Sequence, residues 1–164
     1  MAIKTMEDLF LHTLKDVLYA EKQVLKMLPR MSKQAGSPEL KQALENHRTE
    51  TEGQIERLGQ VFEMMGKPAR GVRCEAMDGI MDEASSIMEE VEDPEVRDAA
   101  MLSSAQAVEH YEITRYGTLL AWAKELGMTQ ALPLIEQSLN EEKQTDKLLS
   151  NIANKRVNRA AKAA

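Results

Sequence analysis

The chain is dominated by four long segments in which apolar residues recur every three or four positions, and each segment has an acidic residue near the middle of its apolar stripe. This spacing places the stripe on one face of an α-helix. Helix-ending and helix-capping residues separate the segments, at Gly36-Ser37-Pro38, Gly66-Lys67-Pro68 and Asp93-Pro94. We therefore predict four long helices whose shared core is interrupted by carboxylates.

The predicted helices cover about residues 5–35, 38–65, 94–126 and 129–153, with Pro29 expected to kink or thin the first one. The segment 66–93 is too long for a tight hairpin, and its middle, about 75–90, has helical spacing. We interpret it as a crossover that carries an extra short helix.

Two helix pairs joined by one long crossover indicate an all-α, ferritin-like four-helix bundle. The alternative is a plain antiparallel bundle with a decorated loop. We expect the bundle to occupy residues 1–154 and the basic residues 155–164 to form a frayed C-terminal tail, because basic residues complement the dipole of a helix end.

Charge and cysteine content exclude several classes of partner. The formal net charge of −6 argues against nucleic acid, since phosphate binding needs a basic surface. Cys74 is the only cysteine, so an internal disulfide is excluded and a reducing compartment is expected. The N-terminus lacks a signal-peptide pattern and no apolar run reaches membrane-spanning length, so we expect a cytoplasmic protein without a membrane partner.

The acids on the stripes indicate a metal site. An ionised carboxylate buried alone is strongly unfavourable, so it must be paired, protonated or bound to metal, and most lysines and arginines fall off the stripes. An oxygen-rich set with one imidazole suits iron or manganese better than structural zinc. We predict a metal pair whose candidate ligands are Glu21, Glu50, Glu109, Glu112, Glu142, His47 and Asp146.

Five segments together resemble the YciF-like family of ferritin-like bacterial stress proteins: YAEKQ, HRTETEGQIERL, RCEAMDGIMDEA, VEHYEITRYGTL and NEEKQTD. The resemblance covers nearly the whole chain. It implies a four-helix bundle, often a homodimer, with a di-iron centre comparable to that of rubrerythrin.

The chain departs from the rubrerythrin-like pattern at two positions. Glu109 and Glu112 match its Glu-x-x-Glu, but Gly53 and Thr145 stand where histidines would follow Glu50 and Glu142. The resemblance therefore implies a carboxylate-rich site. His47 and Asp146 are the best substitutes, because helical spacing lets either face the same cavity. Water at the open positions is the other interpretation, as is a His47 that only hydrogen-bonds a carboxylate.

The predicted function is a di-metal protein, with about two irons per chain or with manganese, that reacts with oxygen or peroxide in stress defence. A non-enzymatic structural or interaction protein is the first alternative, with its acids in a proton-sharing or ion-paired network. Iron binding without turnover is the second.

Overall fold

The structure, a computed structural model, describes residues 2–164 and contains only helices and connecting segments in that range. The helices are α1 (Met6–Gln34), α2 (Pro38–Met64), α3 (Glu75–Glu90), α4 (Pro94–Glu125), α5 (Leu132–Ile152) and α6 (Asn158–Ala163), with a π-helical turn at Ala153–Val157 between the last two. No helix in the described part of the chain combines the length and apolarity needed to cross a membrane.

The helix ends follow the sequence signals. Thr5 and Asp8 form a reciprocal capping box at α1. Ser37 and Asp93 cap α2 and α4, each followed by a proline in the first turn. Pro29 lies inside α1 without ending it.

Helix α5 begins at Leu132, about three residues later than predicted. The preceding residues form a turn after Gly127, whose φ of 66° lies in the left-handed region that favours glycine. The proline in the first turn of α5 explains the later start, because proline is most stable where the helix has no backbone acceptor for its missing N–H.

The four long helices form the predicted ferritin-like bundle. Helices α1 and α2 pack as one pair, α4 and α5 as the other, and the pairs meet through α2 with α5 and α1 with α4. Asp98 near the start of α4 accepts hydrogen bonds from the backbone N–H groups of Gly36 and Ser37, at 2.9 and 2.6 Å. This contact places the start of α4 beside the α1–α2 turn, so the crossover runs the length of the bundle, and its helix α3 packs outside against α4 and α1.

The core consists of two apolar halves with a polar layer between them. One half is built around Val24, Leu44, Leu102 and Leu149. The other is built around Phe10, Leu58, Leu119 and Ile135. On every long helix the predicted acid lies at the boundary between these halves, which positions the candidate site at mid-bundle.

The C-terminal residues, for which we expected a frayed tail, are helical, and whether they fray stays a prediction. The chain continues through the π-helical turn into α6, which packs on α4. Ala153 and Val157 join the first apolar half, with Val157 buried. Burial of these apolar side chains stabilises the last turns, while Arg156 reaches Glu39 at 2.9 Å on the surface.

Candidate metal centre

The polar layer brings together side chains from all four long helices. Each helix contributes where its inward stripe passes the middle of the bundle, and the side chains of the layer are at most 3% exposed: Glu21 from α1, His47, Thr51 and Gln54 from α2, Glu109 and Glu112 from α4, and Glu142 from α5. These residues occupy the depth at which the sequence predicted the acids to meet.

Four of these residues converge tightly enough to share one metal ion. His47, Glu109, Glu112 and Glu142 each offer one ligand atom, and these four atoms lie within 4.8 Å of one another. His47 Nε2 is 3.3 Å from Glu109 Oε1. Opposite ligands of an ion with bonds of about 2.1 Å are about 4.2 Å apart, so small inward movements would complete a coordination shell.

The pattern of unsatisfied atoms fits a metal better than a closed hydrogen-bond network. Buried polar side-chain atoms normally have a partner. In residues 2–164, the buried atoms without one all belong to this layer: Glu21 Oε2, both His47 ring nitrogens, Gln54 Oε1, Glu109 Oε2, both Glu112 oxygens and Glu142 Oε2. Seven of the eight are carboxylate oxygens or imidazole nitrogens, the donor atoms that iron and manganese bind.

Two hydrogen bonds fix the orientation of individual carboxylates. The hydroxyl of Tyr116, which is fully buried on α4, donates to Glu21 Oε1. The side-chain amide of Gln54 donates to Glu142 Oε1. In both acids one oxygen is held by the protein and the second oxygen has no partner, an arrangement that leaves one oxygen of each available to a metal.

Glu50 lies at the edge of the layer. It is half-buried, its Oε2 accepts a 2.9 Å hydrogen bond from Thr145, and the same oxygen is 3.9 Å from His47 Nδ1. Thr145 thus occupies the position where the rubrerythrin-like pattern has a histidine, and its hydroxyl donates to Glu50.

The structure does not bring Asp146 into the cluster. Its Oδ1 accepts a 3.1 Å hydrogen bond from the Gln106 side chain and lies 3.2 Å from Nε2 of His110, which is largely exposed. Four residues beyond Glu142 the helix has turned slightly past the core-facing direction, and Thr145 and Leu149 occupy the inward positions at that level. The suggestion that Asp146 replaces the missing histidine is therefore not supported by its position.

Gly53 stands at the position of the second missing histidine, and the side chain of Arg57 fills the space beside it. A Cβ atom at Gly53 would lie 3.3 Å from a terminal guanidinium nitrogen of Arg57. Arg57 spans from α2 to α5, where it pairs with Glu141 and donates a 3.0 Å hydrogen bond from Nε to Ser138. Sequence reasoning missed this arrangement and the Gln54–Glu142 contact, although the place of Gln54 on the α2 stripe was a usable signal.

Burial and mutual repulsion change the protonation of the layer. Desolvation, followed by repulsion from neighbouring acids, raises the pKa of Glu21, Glu109 and Glu112 well above the ordinary value. Desolvation raises the pKa of Glu142 to about 7 and lowers the pKa of His47 to about 4. Without metal, the acids thus tend to keep their protons while His47 stays neutral, and a bound cation would displace those protons.

Comparison with known proteins supports the resemblance found in the sequence. The chain is 43% identical to protein YciF of Escherichia coli (strain K12) over 162 residues, which cover 98% of each chain. The crystal structure of the E. coli stress protein YciF matches with a TM-score of 0.90 over 95% of this chain and 99% of that one.

Two further structures share the bundle. YcfI from Rhodopseudomonas palustris is 51% identical and has a TM-score of 0.89, over 90% of this chain and 94% of that one. A protein from Xanthomonas campestris pv. campestris is 21% identical with a TM-score of 0.78 over 97% and 98% of the two chains, and it shows the fold alone. Residues 5–162 match the family described as "Domain of unknown function (DUF892)". The chain therefore belongs to the DUF892 family and is a YciF-like protein.

Proposed function

We propose that the polar layer is a di-metal centre, with iron as its metal or manganese in its place, and that the protein uses this centre to react with oxygen or peroxide during stress. The observation that carries the proposal is the convergence of four acids and one imidazole, nearly all with unpartnered atoms, at one buried level. Stress response is supported by the similarity to the E. coli stress protein YciF.

The layer divides naturally between two ions. His47, Glu109, Glu112 and Glu142 would hold one ion, since their ligand atoms already converge. Glu21, which interacts electrostatically with Glu112 and Glu142, would help to hold the second ion together with those two acids. Glu50 would join at the accessible edge.

Bound iron would supply the electrons for the reduction of oxygen or peroxide. The protein would orient the site and exclude water from it. Tyr116 and Gln54 fix one oxygen of Glu21 and of Glu142, and the neutral His47 presents a lone pair because burial disfavours its charged form. The apolar halves above and below the layer keep bulk water away.

Metal analysis after anaerobic loading with iron(II) tests the proposal. We expect about two irons per chain in the native protein, as in di-iron bundles, and a loss of iron in Glu109→Gln and Glu142→Gln. Glu136→Gln, an exposed acid on the same helix as Glu142, is the control and should bind iron normally. Addition of peroxide to the loaded protein, followed by its visible spectrum, then tests reactivity.

The competing function is that of a structural or interaction protein whose acids share protons. The similarity to YcfI, which is described provisionally as a structural protein, favours it. Native metal content near zero, with unchanged stability on adding iron or manganese, would select this alternative. Iron that binds without reacting would instead indicate iron binding without turnover.

We also propose that the protein forms a homodimer. Sedimentation equilibrium tests this directly, since the chain mass of 18.4 kDa makes monomer and dimer easy to separate.

A further inference from the structure

A small pocket, here called the inner pocket, lies directly against the candidate metal centre. It is lined by residues from all four long helices, and His47, Glu109 and Thr145 form its polar end. The pocket volume that the centre of a water-sized molecule can occupy is about 10 Å³. This volume is near the minimum that a cavity needs to hold one water molecule. The rest of its wall is apolar and includes Val24, Met27, Leu28, Met31 and Leu149.

The polar end of this inner pocket contains side-chain atoms that have no hydrogen-bond partner. His47 is 3% exposed and neither ring nitrogen has a hydrogen-bond partner. Glu109 is 1% exposed and its Oε2 also lacks one. A molecule in the pocket would therefore contact an apolar wall on most sides and the ligand residues on one side.

A second cavity lies beside this pocket and is lined in part by exposed residues. This outer cleft lies between α1, α3 and α4 and is lined in part by Arg30, Ser85 and Met88. Its volume, measured in the same way, is about 40 Å³. The inner pocket and the outer cleft share two lining residues, Met27 and Met31. The boundary between surface cleft and inner pocket therefore consists of methionine side chains.

Methionine is well suited to such a boundary. Its unbranched side chain has three rotatable bonds and adapts to irregular space. Met27 is half-buried and Met31 is 8% exposed, and both residues also line the outer cleft. Side-chain rotamer changes take roughly picoseconds to nanoseconds at accessible positions, and they need no backbone movement.

The apolar wall determines which kind of molecule could pass from the outer cleft to the inner pocket. Polar partners occur only at the His47–Glu109 end, so a molecule that passes the methionines meets an apolar wall first. A buried water molecule needs two to four polar partners, and peroxide has comparable hydrogen-bonding needs, so neither is satisfied along that stretch. Dioxygen is apolar and makes no such demand. From the shared methionines and the apolar wall we propose that Met27 and Met31 gate a route by which dioxygen reaches the metal centre. The proposal rests on the proposed di-metal function for its purpose, but the route itself is a property of the metal-free protein.

Dissolved oxygen provides a direct test in the metal-free protein. Dioxygen is paramagnetic, so it increases the NMR relaxation of methyl groups that it contacts. We expect a larger increase at the methyl groups of Val24, Leu28 and Leu149 than at those of Leu14 and Leu58, which are equally buried in the other apolar half. Equal increases in the two halves would overturn the route.

Substitution at the gate tests the role of the methionines. Met31→Phe should reduce the oxygen-induced relaxation of the inner-pocket methyl groups, whereas Met64→Phe, at an exposed methionine at the end of α2, should not. Met27→Phe serves as the second variant if Met31→Phe unfolds. Unchanged relaxation in a folded gate variant would refute the gate.

Kinetics of the iron(II)-loaded protein separate dioxygen from peroxide. We expect Met31→Phe to slow oxidation by dioxygen at least about tenfold, or about 1.4 kcal/mol in the barrier, with less effect on oxidation by peroxide. Equal slowing with both oxidants would overturn the selectivity. Failure of the native protein to bind iron would defeat the proposed function, while the NMR result would still decide whether the oxygen route exists.

Discussion

Replacement of Glu112 by an apolar residue should stabilise the metal-free protein. Glu112 is fully buried, both of its oxygens lack a hydrogen-bond partner, and its pKa is raised by desolvation and by repulsion from Glu21 and Glu142. A buried polar group left unpaired costs about 1–3 kcal/mol. Methionine has a similar length and makes no such demand, so Glu112→Met should increase the free energy of unfolding by about this amount.

Differential scanning calorimetry without metal measures the effect. For a domain of this size each kcal/mol shifts Tm by about 2–4 °C, so the expected rise is roughly 2–12 °C. Glu112→Gln keeps a polar group without partners and should change Tm little. Glu56→Met makes the same chemical change at an exposed position in the middle of α2 and should stay within about 0.5 kcal/mol of the native protein.

Addition of metal should reverse the order of stabilities. A ligand present at 1,000 times its Kd stabilises the folded state by about 4.1 kcal/mol, which exceeds the gain expected from the substitution. The native protein should gain this amount with iron(II) or manganese(II), and Glu112→Met should gain much less because it lacks two donor oxygens. A lower Tm for metal-free Glu112→Met would refute the reasoning, since it would show that Glu112 stabilises the apoprotein through a network.

The remaining predictions concern pH and single contacts. The pKa of Glu142 is raised from 4.5 to about 7. Its contribution to stability is therefore complete below about pH 4.5 and is lost as pH rises to about 7. His47, whose pKa is lowered from 6.5 to about 4, has the opposite effect between those two pH values. Glu21, Glu109 and Glu112, whose pKa values are also raised, act in the same direction as Glu142. Metal-free protein should therefore lose stability in chemical denaturation as pH rises from about 4.5 to 7, and a gain would contradict the assignment. Tyr116→Phe removes the donor to buried Glu21 and should cost about 1–3 kcal/mol in urea unfolding; native-like stability would show that the contact is unimportant. Asp146→Asn should leave the metal content unchanged, because Asp146 faces His110 and Gln106 instead of the cluster, and a loss of iron would return it to the ligand set.

The helices and the depth of the site were predictable from the sequence because both depend on local spacing. The apolar repeat identifies the inward face of each helix, and the caps at Thr5, Ser37 and Asp93 set where three helices begin. Once four inward faces are known, acids at the middle of each must meet. This is why the positions of Glu21, Glu109 and Glu142 followed without knowledge of the packing.

Contacts between helices were not predictable in this way. Whether Thr145 or Asp146 faces the layer depends on a small rotation of α5 about its axis. The apolar repeat does not define the inward face of the helix closely enough to decide between them. The pairing of Tyr116 with Glu21 and the placement of Arg57 beside Gly53 depend on how neighbouring helices are aligned. The C-terminal π-helical turn is equally invisible to a 3.6-residue repeat, since it changes the register that the repeat assumes.

Anomalous X-ray scattering from crystals grown with iron or manganese is the most direct test of the central claim. The account predicts two anomalous peaks at mid-bundle, one among His47, Glu109, Glu112 and Glu142, and one toward Glu21. Absence of any peak at saturating metal, with these carboxyl groups hydrogen-bonded to one another or to water, would contradict it and establish the layer as a proton-sharing network.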